Sequence, residues 1–449
     1  MKIRLLGWIG IFFIFAFCRS GSSETIVIGE KEGIIKPLFG VNAGPVMDDK
    51  EGRKLDLTKQ FQSIGVMQIR THDFYGYLDM STMYSDQNAD PSNPDSYDFH
   101  ESDRVFRSIL VGGFEPYLRI GDSWNAAAGF PVARKRAPAN RANWVKAAVE
   151  VVRHYKEIAG TRLRYVEIWN EPDHRQFWDS SQQEFNVLFD ETVKALKKAF
   201  PDIKVGGPAF TAAAICFEKN NMLVPSFLGY LKKNNTPIDF ISWHLYSNDP
   251  NDFADFARFY RNELDKHNFQ KAESHITEYN TDIKRLPYGI KPFELRVGSH
   301  GAAVLTAIWI TLQNERVDSA FIYRGNDMSM DQPLFYGLLR ANGSPKLSAL
   351  AFSFWTRLAK CDRLIVKNPA NNQKLCLIAG EKPTGDILLL IANISQQKID
   401  YEVRNGKKEI SGLVIEEISN EAEKIRTIRT NTCKASIPGH SVQLVTLKR

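Results

Sequence analysis

Thiolate metal spacing is missing from this chain. Its five cysteines, Cys18, Cys216, Cys361, Cys376 and Cys433, include no CxxC pair, which removes the common cysteine-based zinc patterns. A membrane-spanning run is missing too, because the apolar stretch from Leu5 to Phe17 is shorter than the roughly 20 residues that cross a bilayer. Charge of one sign is scarce. Lys and Arg number 58 against 52 Asp and Glu, and the net +6 falls to +3 once Lys2, Arg4 and Arg19 are removed with an N-terminal leader. A nucleic-acid partner therefore loses its electrostatic basis and is not expected. No repeat of fixed period and no low-complexity linker interrupts the chain, which predicts domains that pack closely rather than swing.

What is present is a long, well-mixed sequence. With 449 residues, 43% hydrophobic and 24% charged, it can fill a large core and a smaller second one. Residues 1–23 read as a signal peptide or lipoprotein leader: Lys2 and Arg4 precede the apolar run, and small polar residues begin at Ser20. Cys18 closes that run as an acylated lipoprotein cysteine does. Ordinary cleavage near Ser20 to Ser23, or retention as an uncleaved anchor, are the alternatives. Each predicts an exported protein that is secreted, periplasmic or tethered to a membrane through its N-terminus. The four remaining cysteines are an even set, three of them in the last ninety residues, and predict one disulfide in the C-terminal domain.

Eight short β-rich runs alternate with helical stretches, the order of a parallel (β/α)8 barrel. They lie near Ile35 to Gly44, Val66 to Asp73, Glu115 to Gly121, Tyr165 to Glu171, Lys204 to Ala209, Asp239 to Tyr246, Ser274 to Asn280 and Ser319 to Gly325. Two helices between them are explicit. Ser181 and Glu184 form a capping box before Phe185, Leu188, Phe189 and Leu196, and Trp144, Ala148, Val151, Val152 and Tyr155 form an apolar stripe ending at Gly160. After Ser344 the pattern changes to short strands near 375–379, 387–394, 399–403, 412–417 and 442–447, which predicts a β-sandwich. The expected architecture is an α/β TIM barrel over 24–343 followed by a smaller β-sandwich over 344–449, with 24–34 free to pair with the sandwich.

Two acidic residues stand where strand ends converge. Glu171, in Trp169-Asn170-Glu171-Pro172, closes the fourth run, and Glu278, in Thr277-Glu278-Tyr279-Asn280, closes the seventh. Active sites of parallel barrels are built at that rim. Two carboxylates flanking a sugar linkage are what glycoside cleavage needs, with one donating a proton to the leaving oxygen while the other attacks or stabilises the anomeric carbon. Held roughly 5 to 5.5 Å apart they cannot both ionise freely, so the acid's pKa rises.

These motifs, in this order on eight repeats, resemble the clan of retaining barrel glycosidases, and within it glycoside hydrolase family 39, the β-xylosidase and α-iduronidase family. The likeness runs over roughly Lys36 to Asp327, and the extra β-domain fits it. It implies that Glu171 is the general acid/base, Glu278 the nucleophile and Asn170 a partner of the sugar 2-hydroxyl. Arg70 and His72, in Ile69-Arg70-Thr71-His72, match residues that steady the nucleophile and bind sugar. Trp243-His244-Leu245-Tyr246 matches the family's His-x-Tyr, with Tyr246 bonding Glu278. The implied activity is that of a glycosidase acting on an oligo- or polysaccharide, with no cofactor. An endo-glycanase, a transglycosidase and a non-catalytic surface carbohydrate-binding protein are the alternatives, and the oligomeric state stays open. Tyr323 and Arg324 stand where much of the clan places a tryptophan, and the Asp122-Ser123-Trp124 loop also departs from the pattern.

Each of these residues has a plainer reading. Arg70 could serve as a structural charge paired with Glu167, and His72, His244 and Tyr246 could be ordinary core residues. Trp124, Trp178 and Tyr323 offer flat surfaces for sugar rings, but aromatic residues more often fill a core. His275 and Glu278 mimic a metal-binding HxxE, yet strand residues three apart point to opposite faces, so no metal is expected.

Overall fold

The computed structural model describes residues 23–48, 54–74, 76–123, 132–216, 221–286, 289, 291–328, 336–368, 373–406, 409–420 and 424–448. The expected leader, with Cys18, and the side chain of Trp124 lie outside the described residues.

All eight expected strands form one closed parallel barrel: β1 (Gly40–Asn42), β2 (Gln68–Arg70), β3 (Glu115–Ile120), β4 (Tyr165–Ile168), β5 (Lys204–Phe210), β6 (Phe240–Tyr246), β7 (Glu273–Asn280) and β8 (Ser319–Ile322). They are short and buried on both faces because helices cover the outside while side chains fill the inside. The inner floor is an aromatic layer of Tyr117, Phe240 and Phe321 with Tyr165 against it. Gly206 makes room for that layer, since a Cβ there would stand 2.1 Å from the Phe240 carbonyl oxygen. His275 belongs to the floor as well, with Nδ1 2.9 Å from the Tyr117 hydroxyl and Nε2 3.0 Å from Glu273.

The helices end where their capping chemistry says they should. The Ser181 hydroxyl accepts from the Glu184 amide, and the Glu184 carboxylate accepts from the Ser181 amide, opening helix Gln182–Ala199. Helix Arg141–Ala159 buries Trp144, Ala148, Val151, Val152 and Tyr155 and stops at Gly160. Helix Leu347–Leu358 follows the boundary expected at 343/344, and it packs against helices Ser299–Asn314 and Thr58–Ile64, giving β8 its covering helix.

Apart from two short hairpins, Val46–Asp48 with Lys54–Asp56 and Ile215–Cys216 with Asn221–Met222, the other described strands form a single nine-stranded sheet. Its order is Arg426–Thr430, Gly412–Ile418, Ser441–Lys448, Ile387–Asn393, Leu375–Glu381, Asp362–Lys367, Glu24–Ile34, Ile399–Asn405 and Lys434–Ile437. Glu24–Ile34 lies inside it, antiparallel to Asp362–Lys367 and parallel to Ile399–Asn405. Alternation assigns its two faces. Leu388, Leu390, Val442 and Leu444 join the barrel's core, whereas Leu389, Ile391, Val445 and Leu447 build a second core with Ile26, Tyr401 and Leu413. Helix Ser299–Asn314 is buried nearly all round because it is packed between barrel and sheet.

The expected disulfide is not formed, for Cys361, Cys376 and Cys433 are free. Sheet register explains why. Asp362 pairs with Glu381, so Cys376 is five residues, or about 17 Å, along the strand from Cys361's neighbour. That offset exceeds the ~7 Å that a disulfide can bridge, and Cys433, whose carbonyl accepts from the Val403 amide, lies at the edge of the sheet, four strands along its order from Cys376.

Candidate active site

Strand order around the barrel brings residues far apart in sequence to one mouth. Between β4 and β7 lie only β5 and β6, so Glu171 and Glu278 approach from nearly opposite sides. Neither Trp169 nor Glu171 has ordinary strand geometry, and both adopt left-handed φ angles of 74° and 48°. Such conformations cost non-glycine residues about 1–3 kcal/mol and persist only when the surroundings enforce them. Here the Trp169 indole donates to the Phe177 carbonyl at 3.2 Å and the Glu171 amide donates to the Ala209 carbonyl at 3.1 Å. The distorted turn directs the Glu171 carboxyl towards β6, where its Oε1 lies 2.8 Å from Nδ1 of His244.

Glu278 is held differently. The Tyr246 hydroxyl donates to its Oε1 at 2.6 Å, and the Arg70 guanidinium lies 3.8 Å from its Oε2. His72 and His244 come within 3.9 and 4.0 Å of the same oxygen. Arg70 is wholly buried and its whole fork is engaged: Nε to Glu167 at 2.6 Å, Nη1 to Asn42 at 2.9 Å, and Nη2 to Asn170 at 2.7 Å. Arg70 is thus paired with Glu167, as the structural-charge reading has it, and also faces Glu278. By occupying the Asn170 Oδ1, Arg70 fixes that amide and leaves its Nδ2 with no protein partner.

Donor atoms of Glu171, His244 and Glu278 all fall within 4.8 Å of one another. The electrostatics separate the two carboxyls. Burial, reinforced by Asp173, pushes Glu171 up to about 8. Burial raises Glu278 as well, but His244, Arg70 and the Tyr246 hydrogen bond act against it. Burial drives His244 down to about 4 and His72 well below the usual imidazole value, so both rings are neutral at neutral pH. The same three donors could cradle a cation by distance alone. A protonated Glu171 and a fixed Arg70 beside Glu278 both oppose that use.

The other candidates divide. Tyr323 lies in the site wall, its hydroxyl donating to Asp73 at 2.8 Å while Arg324 bonds the same oxygen at 2.6 Å. Trp178 is a core residue, edge-on to Trp169 at 5.1 Å, with its indole donating to Ser181. His275 and Glu278 are separated along the strand and not across it, against the opposite faces expected: a bulge at Thr277, where Trp243 pairs with Ile276 and His244 with Glu278, returns both to the barrel interior, His275 in the floor and Glu278 at the mouth. Sequence inspection missed Asn42, Asp73, Asp173 and Tyr336. Asp73 follows the Arg70-Thr71-His72 run directly, a signal that was present. Tyr336 had none: it lies in a loop after β8, with its ring 6.3 Å from Tyr246, 5.2 Å from Tyr323 and 4.4 Å from the Arg296 guanidinium.

Residues 40–308, more than half of the chain, match the model of glycosyl hydrolases family 39. The chain belongs to that family. This family 39 member is 26% identical over 375 residues to a β-xylosidase of Geobacillus stearothermophilus, covering 75% of this chain and 69% of that one. It is 24% identical over 402 residues to a β-xylosidase of Caldicellulosiruptor saccharolyticus, covering 81% and 76%. Two solved structures share the fold. A glucosidase from Croceicoccus marinus superimposes with a TM-score of 0.75 at 19% identity, over 95% of this chain and 99% of that one. A monomeric β-xylosidase from Caulobacter crescentus gives 0.72 at 16%, again over 95% and 99%. The family 39 chain is a glycosidase.

Proposed function

We propose that this glycosidase is a retaining enzyme working by double displacement, with Glu171 as acid/base and Glu278 as nucleophile. The observation carrying the proposal is a carboxyl pair within 4.8 Å whose members keep unequal proton affinities. In the first step an oxygen of Glu278 bonds to the anomeric carbon as the glycosidic bond breaks, and the Glu171 proton passes to the leaving oxygen. In the second, water attacks that carbon, its proton passes to Glu171, and the bond to Glu278 breaks. Arg70 and Tyr246 steady Glu278, and the spare Asn170 amide suits the sugar 2-hydroxyl. The relatives' β-xylosidase activity supports a β-linked pentoside as the sugar cleaved. The basic and then apolar start of the chain supports an exported enzyme.

The test is a panel of aryl glycosides with the released sugar's anomer followed by proton NMR. Retention of the anomer is expected. Inversion, or no turnover of any aryl glycoside, would overturn the proposal. Release of monosaccharide from oligosaccharides marks exo-action, longer products mark endo-action, and glycosylated acceptors mark transfer.

A further inference from the structure

A second cavity, of about 670 Å³, opens at the seam between barrel and β-domain. Its barrel side comprises the segment after β6 from Ser247, the segment after β7 at Asp282, and His300 on the helix after β7. Its other side is made by Gln396, Gln397 and His440 of the β-domain. That volume is within the roughly 300–1,000 Å³ typical of ligand sites. The two barrel segments are clamped together. Asn248 donates to the carbonyls of Asp282 and Arg285 at 2.8 and 2.9 Å, and its own side-chain oxygen accepts from the Asp282 amide at 2.9 Å. One such segment begins directly after Tyr246, and the other four residues after Glu278. The clamp therefore ties together the two segments that lead from the catalytic strand ends to the seam cavity.

The lining has an unusual polar surplus. His300 is 6% exposed and its Nδ1 has no hydrogen-bond partner; both ring nitrogens of His440 are buried without one. The two imidazoles stack at 3.8 Å with planes 24° apart, so they present a flat face as well as unused polar edges. Leaving buried polar atoms unmatched is costly, and a ligand that matches them recovers that cost. Charges around the cavity nearly cancel, with Asp249, Asp252 and Asp282 against Arg285 and Lys374, which disfavours a polyanion. Carboxylates, amides and imidazoles beside apolar surface from Pro250, Val304 and Ile394 instead match a molecule with many hydroxyls and C–H faces.

We propose that the seam cavity is a remote binding site for a neutral oligosaccharide, holding a distal stretch of the chain whose scissile bond lies at Glu171 and Glu278. This rests on the catalytic reading above and adds a preference for long substrates to it. Gln396 and Gln397 are exposed and can be replaced without disturbing the core. His440 has a φ of 49°, so glycine removes its ring without backbone strain.

The test is calorimetric titration of the full chain carrying Glu278→Ala with xylobiose, xylohexaose and cellohexaose. Adding Gln396→Ala and Gln397→Ala should weaken binding of a hexaose about tenfold, as expected for losing one or two hydrogen bonds, and His440→Gly should weaken it further. Xylobiose affinity should not change, which also reports an intact fold. Unchanged affinity for both hexaoses, or no hexaose binding at all, overturns the proposal. A protein that turns over no aryl glycoside yet loses hexaose affinity with these substitutions keeps the seam site and sinks only the hydrolase reading.

Discussion

The Tyr246 hydroxyl and the Glu278 carboxylate are joined by a 2.6 Å hydrogen bond between adjacent strands. That bond favours the ionised carboxylate, whereas the burial around it favours the neutral form. Tyr246→Phe should therefore move the acid limb of the kcat/KM profile to higher pH. It should also lower kcat about 10- to 100-fold, the worth of a hydrogen bond to a charged group. A pH–rate profile of the variant with an aryl glycoside reads both effects. An unmoved acid limb would mean that the bond does not tune Glu278.

Under the proposed roles Glu171 should set the other limb. With its pKa near 8, proton donation should fade as pH rises through 8. Activity should then form a bell whose acid side belongs to Glu278. Glu171→Gln should remove the alkaline limb for substrates with good leaving groups.

The same shift predicts a stability effect. Below pH 4.5 Glu171 is protonated whether folded or unfolded, so it contributes nothing. Between 4.5 and 8 only the unfolded state ionises, and folding loses stability as pH rises until the full penalty is reached above 8. Glu171→Gln should stabilise the protein at pH 7 by about 3 kcal/mol and leave it unchanged near pH 4. Urea unfolding at the two pH values measures the difference.

Azide separates the two catalytic roles. Glu171→Ala and Glu278→Ala should each lose about 100-fold or more of activity on aryl glycosides, and azide should restore turnover to both. For a β-glycoside, Glu171→Ala should give the β-azide and Glu278→Ala the α-azide, because only the second lacks the glycosyl-enzyme step. Wild-type activity in either variant would remove its assigned role.

Arg70 and Glu167 form a wholly buried pair at 2.6 Å. Glu167→Gln leaves the guanidinium without its principal counter-charge and should cost about 3 kcal/mol. The double variant Arg70→Met with Glu167→Leu should recover most of that loss in unfolding experiments while staying poorly active, because Asn170 and Glu278 lose their neighbour. Recovery of activity with stability would reduce Arg70 to a structural charge.

The eight barrel strands, the capping box at Ser181 and the placement of Glu171 and Glu278 at one rim were legible because each follows from local periodicity or from a residue's position at a strand end. The pairing of Arg70 with Glu167 was offered by the sequence, but its bonds to Asn42 and Asn170 were not, since those partners come from two further strand ends that meet Arg70 only when the barrel closes. Tyr336 was missed for the same reason, whereas Asp73 had a local signal in its place beside His72. The disulfide reading failed because counting cysteines ignores register, and register sets Cys361, Cys376 and Cys433 apart.

The amino-acid order alone determined that this chain builds an α/β barrel with a β-domain, and which two carboxyls its mouth presents. Period-two and helical patterns are properties of neighbouring residues, so they survive without coordinates. Tertiary structure alone decided that Glu171 is the carboxyl kept protonated, that both faces of the β-sheet are buried, and that two histidines 140 positions apart, His300 and His440, stack over a second cavity. Those outcomes depend on desolvation and on distances through space, and neither quantity is written along the chain.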